Sequence, residues 1–466
     1  MDIKFGTSGW RAVISEEFTF DNVRLVTQAI SDYIKNAKDK TNLVIVGYDT
    51  RFLSREFAEA SYKVLLNNGL KPLLTDRDTS TPVISFHIID KKASGAINIT
   101  ASHNPSQYNG IKFSSSSGSP AGREITSYLE RRIVFLKKRN WHFKDRKPKD
   151  SFEKFQPQER YISHVKNLVN LDLIKRANLK IGIDFLYGTS RGYLDRILEE
   201  ANVRLYKIHD YINPDFGDIS PTPAKAQLKE LLNLVKAQKL DIGLSTDPDG
   251  DRFGVVDRDG SFIQANEIIC VILEHLIKTR KRYDTVARTI ATTSLVDKIA
   301  TSNNMEPVET PVGFKYIAEE LLKGNCLMGA EESGGLSIAG HIPEKDGILA
   351  CLLVLETCAS NKKSIKEILK GIAKKYGSFY SERNDIRLAS RERFFKKLSR
   401  FNPSRIAGLR VLKVNRTDGF KFYLVDGSWL LIRPSGTEPI ARLYAESNSK
   451  ATLKLLLDEA KRLINF

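Results

Sequence analysis

The sequence predicts an α/β protein, with three similar α/β units followed by a smaller α+β unit. Three observations carry this expectation. Helix-period and strand-period segments alternate from the N-terminus onward. Apolar strand runs ending in polar turns recur at "NLVIVGYDTR" (42–51), "LKIGIDFLYGTS" (179–190) and "TVARTIATTS" (285–294). After residue 374 the pattern changes to antiparallel-like alternation. A chain of 466 residues must in any case divide, because one hydrophobic core stops growing at roughly 250–300 residues.

In chain order, "FDNVRLVTQAISDYIKNA" (20–37) sets Val26, Ala29, Ile30, Tyr33, Ile34 and Ala37 on one helical face, with Asp21 as its N-cap. "NLVIVGY" is a continuous apolar run, the mark of a strand buried on both faces. "SREFAEASYKVLLNNG" (54–69) is a helix begun by Ser54 and stopped by Gly69. Each early strand run is followed by a second strand that ends in a polar loop: "SGAINITASHNP" (94–105), "LDIGLSTDPDGDR" (240–252) and "CLMGAEESGG" (326–335). Three units, each offering one loop to a common centre, is the economical reading, since open α/β sheets bind ligands beyond the carboxyl ends of strands. In the last unit Asp426-Gly427 is a hairpin turn, and the closing "SKATLKLLLDEAKRLINF" is an amphipathic helix. The expected boundaries divide the chain into 1–150, 151–257, 258–374 and 375–466.

Hydrophobic content of 41% and charged content of 28% are those of an ordinary globular protein. The four cysteines, Cys270, Cys326, Cys351 and Cys358, show no metal-ligand spacing. They read as small core residues in a reducing, cytoplasmic setting. No apolar leader opens the chain and no run reaches the 18 residues of a membrane helix, so neither export nor a membrane partner is expected. The net charge of +17 is spread rather than blocked. It suits capture of small anionic substrates better than nucleic acid, which is not an expected partner.

Four loops carry chemistry. In "STDPDGDRFGVV" (245–256) Asp247, Asp249 and Asp251 alternate, and such close carboxylates repel unless a cation joins them. Arg252 and Arg258 stand where an EF-hand needs Gly and Glu, so that motif is excluded. Oxygen ligands point to Mg²⁺ or Ca²⁺. Ser102 lies in "TASHNP" with neither a nucleophile elbow nor an Asp–His relay beside it. If phosphorylated, it would complete the cation's shell. His103 adjoins it, Lys112 follows ten residues on, and Asn104 and Asn109 are turn formers that hold the loop. "AEESGG" offers Glu331, Glu332 and Ser333 to sugar hydroxyls, and Lys345 precedes a helix with Asp346 near its N-terminus. In "IRPSGTEP" (432–439), Arg433, Ser435, Gly436 and Thr437 make a phosphate cradle. The N-terminal "KFGTSGWRA", with Thr7, Ser8, Gly9 and Arg11, is a further anion site.

Together these four loops resemble the α-D-phosphohexomutase family, in its order and over essentially the whole chain. "TASHNP" is similar to its phosphoserine loop, "DPDGDR" to its metal loop, "GAEESGG" to its sugar loop and "RPSGTEP" to its phosphate loop. The resemblance implies four domains around a central cleft, three α/β with mixed sheets and a smaller antiparallel fourth. It implies that Ser102 carries the phosphoryl group and that Asp247, Asp249 and Asp251 with phosphorylated Ser102 bind Mg²⁺. Arg252 would lie beside the phosphoserine. Lys112, His103 and Lys345 would be catalytic groups. Arg11, Gly313, Glu331, Ser333, Arg433, Ser435, Gly436 and Thr437 would meet the phosphosugar, with glucose 1,6-bisphosphate as intermediate and activator.

"EESGG" places Gly335 where the dual-specificity branch has a histidine, and "EKDG" resembles glucose-type enzymes. Glucose 1-phosphate and glucose 6-phosphate are therefore the expected substrates. Mannose or glucosamine phosphates, or release of the bisphosphate as product, stay open. The chain could be a monomer or a dimer.

Overall fold

The computed structural model describes residues 3–6, 9–37, 41–145, 151–434 and 440–465. Its strands form four sheets. The first runs in the spatial order Trp10–Val13, Tyr108–Ser115, Gly95–Ile99, Leu43–Tyr48, Lys71–Thr75, Lys154–Phe155. The second runs Phe262–Ile263, Phe253–Asp257, Ile242–Thr246, Lys180–Asp184, Arg204–Ile208. The third runs Glu306–Thr310, Thr285–Thr289, Cys326–Glu331, Gly335–Ile338. All three share one plan. A parallel core strand is flanked by parallel neighbours, and one of those neighbours turns back through an antiparallel return strand.

This plan positions the loops. The 100–107, 247–252 and 332–334 segments each link a buried parallel strand to its antiparallel return, so both ends of each loop are fixed by ladder hydrogen bonds. The fourth sheet is antiparallel throughout and joins Tyr380–Arg387, Ile440–Ser447, Trp429–Pro434, Phe420–Leu424, Leu409–Asn415 and Arg405–Ile406. Its hairpin turns at Asp426-Gly427, where Gly427 has φ +84°.

Two edge strands and one helix complete the α/β units. Lys154–Phe155 adds to the edge of the first sheet, Phe262–Ile263 to that of the second, and the helix Ile365–Tyr376 closes the third unit. The second and third units are not separate cores. One apolar cluster runs from Tyr161 through Ile272 to Tyr376. The helix Gly347–Asn361 is buried from residue 347 to 359 and lies within that cluster, as a helix apolar on all sides must. The four cysteines are buried and free, as expected of core residues. The helix Phe20–Asn36 is capped by Thr19, whose hydroxyl accepts from the Asn22 amide. Asp21 falls in the first turn, a correction that follows from two good capping side chains standing two residues apart. No helix among the described residues is long and apolar enough to cross a membrane.

Candidate active site

The strand Ile242–Thr246 delivers the acidic loop into the interior, where ligand oxygens of Asp247, Asp249 and Asp251 lie within 4.8 Å of one another. All three are buried. Gly250 makes the turn with φ +67°, and a Cβ there would stand 2.6 Å from Ser80 Oγ. Neighbouring units clamp the loop: the Thr81 amide donates to Asp249 O at 2.8 Å, and the Gly347 amide donates to Gly250 O at 2.9 Å.

The carboxylate oxygens divide into two sets. Asp247 Oδ1 accepts the amides of Asp251 and Arg252, both at 3.0 Å, and its Oδ2 accepts the Ser102 hydroxyl at 2.8 Å. Asp249 Oδ2 accepts from Thr81 Oγ1 at 2.6 Å and Lys112 Nζ at 2.5 Å. Asp251 Oδ2 accepts from Lys112 Nζ at 2.8 Å and faces Lys345 Nζ at 3.3 Å. Asp249 Oδ1 and Asp251 Oδ1 are buried without a hydrogen-bond partner, the latter with Arg252 Nε 3.9 Å away. Buried carboxylate oxygens left unpaired are costly, and a hard cation is the group that satisfies them. The residues present therefore fit a divalent cation, which needs further oxygens besides these three side chains.

The three carboxyls differ in proton affinity. Burial, with Asp249 and Asp251 as like-charged neighbours, pushes Asp247 well up. Burial also acts against Asp249 and Asp251, but Lys112 and other donors outweigh it and hold both below the usual carboxylate range.

Ser102 follows the strand Gly95–Ile99 with φ +52°, a left-handed conformation that a non-glycine residue adopts at a cost of about 1–3 kcal/mol. Arg51 offsets that cost. Its guanidinium donates to the carbonyls of Ser102 at 2.5 Å, Asn104 at 2.6 Å, Pro105 at 2.8 Å and Tyr108 at 3.0 Å. Asp49 pairs with Arg51 at 3.2 Å, both side chains fully buried. Asn104 accepts from Arg11 at 2.8 Å and Asn109 donates to Ser54 Oγ at 2.9 Å, which is the holding role expected of them. Sequence reasoning missed Arg51 and Asp49. Their signal was the polar "YDTR" that closes a wholly apolar strand. His103 Nδ1 lies 3.3 Å from Ser102 Oγ, and burial with Arg252 and Arg11 nearby keeps the ring uncharged.

The third unit adds a lysine and a glutamate. Lys345 Nζ bonds Glu344 at 2.7 Å beside Asp251, and its ammonium is held charged by these carboxylates against burial. The adjacent helix N-terminus is filled by Asp346, whose carboxylate accepts the Leu349 amide. Gly335 stands against the Lys345 stem: a Cβ would meet Cδ at 2.3 Å and Cγ at 2.8 Å. Glu331 accepts the Gly313 amide at 3.1 Å, and burial raises its carboxyl to about 7. Glu332 turns aside and accepts from Thr289 Oγ1 at 3.1 Å. Ser333 is half-buried at the tip of the hairpin.

From the fourth unit, Arg433 Nε donates to Asp418 at 2.9 Å. The other oxygen of Asp418 accepts the Val312 amide at 2.9 Å, next to Gly313. Ser435, Gly436 and Thr437, like Thr7 and Ser8, lie outside the described residues. The structure thus gathers Ser102, His103, Lys112, the three aspartates, Arg252 and Lys345 at one point. Glu331, Gly313 and Arg433 form a second chain of contacts joined through Asp418, a residue that sequence reasoning also missed.

The chain matches the phosphoglucomutase/phosphomannomutase family in all four of its parts. These are α/β/α domain I over residues 2–139, domain II over 159–260, domain III over 264–376 and the C-terminal domain over 396–463. It is 28% identical to a phosphoglucomutase/phosphomannomutase of Thermococcus kodakarensis, with 99% of this chain and 98% of that one aligned. It is 29% identical to a phosphoglucomutase of Komagataeibacter xylinus, over 99% of this chain and 91% of that one. A crystal structure of a Thermus thermophilus protein assigned as a phosphomannomutase superposes over 100% of both chains with TM-score 0.88 and 30% identity.

Proposed function

Because the chain belongs to the phosphoglucomutase/phosphomannomutase family, we propose that it interconverts glucose 1-phosphate and glucose 6-phosphate by way of phosphorylated Ser102. One observation carries this reading. The Ser102 hydroxyl is bonded to Asp247 inside a buried acidic cluster that leaves two carboxylate oxygens without a hydrogen bond. A serine there can hold a phosphoryl group against a cation, and its hydroxyl donates at 2.8 Å to a carboxylate of the acidic cluster, with His103 farther off at 3.3 Å.

Asp247, Asp249 and Asp251, with an oxygen on Ser102, would hold Mg²⁺, and when bound the metal would neutralise charge on the transferring group. In the forward half-reaction the sugar 6-hydroxyl attacks phosphorus, uncharged His103 takes the hydroxyl proton, the bond to Ser102 Oγ breaks, and that oxygen regains a proton within the cluster, where Lys112 is held as the ammonium. The sugar 1,6-bisphosphate then turns over, and its 1-phosphate returns to Ser102. Arg252 and Lys112 hold phosphoryl oxygens, Glu331 and Ser333 hold sugar hydroxyls, and Arg433 with the loop after it holds the non-reacting phosphate. Arg11 positions the serine loop through Asn104.

Gly335 supports the glucose assignment. The space that a side chain would take at this place is filled by Lys345, so the glycine and the lysine read as one feature. The relatives carry both glucose and mannose in their names, so mannose 1-phosphate is the second substrate to test.

The test is mutase activity with Mg²⁺ and catalytic glucose 1,6-bisphosphate on glucose, mannose and glucosamine 1-phosphates. Peptide mass analysis of the enzyme after incubation with the bisphosphate accompanies it. The expected result is preference for glucose, phosphate on the peptide holding Ser102, and a fall of roughly 10³-fold or more in Ser102→Ala. Full activity in that variant sinks the role of Ser102. Bisphosphate that accumulates in solution identifies a synthase instead.

A further inference from the structure

A cavity of about 630 Å³ lies between the second and third units, lined by none of the residues of the four site loops. That volume falls within the range of small-molecule sites. Leu173, Leu179, Ile242, Cys358 and Ala359 supply apolar lining. Arg176, Arg258, Lys362 and Lys363 line it too, with exposed side chains. Arg258 pairs with Glu367 at 2.6 Å across the surface, while Arg176, Lys362 and Lys363 form no ion pair among the described residues. One carboxylate is present, Asp241, and its Oδ2 already accepts the Lys180 amide.

Three elements run from this cavity to the acidic cluster. The strand Ile242–Thr246 begins at the cavity and ends just before Asp247. The strand Phe253–Asp257 begins after Arg252 and ends before Arg258. The helix Gly347–Asn361 begins beside Lys345 and ends past Cys358 and Ala359. The helix also touches the first of these strands in mid-course, with Cys351 Sγ 3.8 Å from Ser245 O. A ligand at the cavity would bear on one end of each element, and the opposite ends hold an acidic residue, an arginine and a lysine of the active site.

We propose that this cavity is an effector site for a small organic anion with an apolar body. The body fits the aliphatic lining and the anionic group meets the cationic rim, an arrangement that inorganic phosphate alone would not fill. Occupancy restrains the start of the strand that carries Asp247, and through it the acidic loop.

The probe is 8-anilinonaphthalene-1-sulfonate titrated into the full chain, with the uncharged N-phenyl-1-naphthylamine as comparison. Saturable binding at one site is expected. The double variant Arg176→Glu/Lys362→Glu, which alters only exposed side chains, should weaken it at least tenfold, and Ala359→Trp should abolish it. Hydrogen exchange across residues 242–252 should slow at least twofold on binding. An unchanged affinity in the double variant, equal binding of the neutral compound, or unchanged exchange across 242–252 overturns the proposal. None of these readouts uses a sugar phosphate, so they stand apart from the test of mutase activity.

Discussion

Asp418 holds Arg433 with one carboxylate oxygen and the Val312 amide with the other, both at 2.9 Å. A single side chain thus ties Arg433 of the fourth unit to Val312 of the third, next to Gly313. Asp418→Ala would release the arginine and leave an amide unpaired. The expected outcome is a KM for glucose 1-phosphate raised about tenfold, equivalent to about 1.4 kcal/mol, with a smaller change in kcat. Steady-state kinetics beside a thermal melt would check it.

Gly335→Ala places a methyl against the stem of Lys345, close to both Cδ and Cγ. The lysine must move, and its contacts with Glu344 and Asp251 go with it. A fall in kcat/KM of roughly tenfold or more is expected, about the effect of misplacing one charged contact. Equal activity in the variant would separate Gly335 from Lys345.

Glu331 gives a pH signature. Burial raises its carboxyl to about 7, with Glu332 adding and Lys345 opposing. As pH climbs through that value the carboxylate forms, and sugar hydroxyls gain a charged acceptor. KM should therefore fall between about pH 6 and 8 in the wild type relative to Glu331→Gln, which keeps an acceptor for the Gly313 amide. Taking the ratio of the two cancels ionisation of the substrate phosphate. Stability runs the other way: a carboxyl raised above its unfolded value favours the fold at low pH and loses that advantage as pH rises toward 7.

Glu309 pins the fourth unit. It accepts from Arg288 and Lys421 at 2.8 Å each and from Asn415 at 3.0 Å, and Lys421 is wholly buried. Burial acts to raise its carboxyl, but Lys421 and Arg288 prevail and bring it down to about 2. Glu309→Gln leaves two buried cations with less counter-charge, and a loss of about 3 kcal/mol is expected by calorimetry. In the wild type this contribution is present above the ordinary glutamate range and is lost as pH falls toward 2.

The acidic loop, the serine loop and the strands leading to them were readable because each is local: an apolar run, then clustered polar residues. Arg51, Thr81 and Asp418 were not readable. Arg51 acts on a carbonyl 51 residues away, Thr81 on a carboxylate 168 away and Asp418 on an amide 106 away, and no local pattern encodes such distances. The common core of the second and third units did leave a trace, in the apolar run of "GILACLLVL" (347–355). Periodicity alone cannot say which neighbours such a helix meets.

The contact between Asp418 and Val312 also bears on synthesis. Ser102, the acidic cluster and Glu331 all precede residue 332, so a ribosome could release the first three units with their loops already folded. Such a nascent chain has no Arg433 and no Asp418 to hold it. Under the proposed function it would display Ser102 and the acidic cluster with no Arg433 to hold a second phosphate. Competence for the proposed cycle would then arrive only with the last segment made.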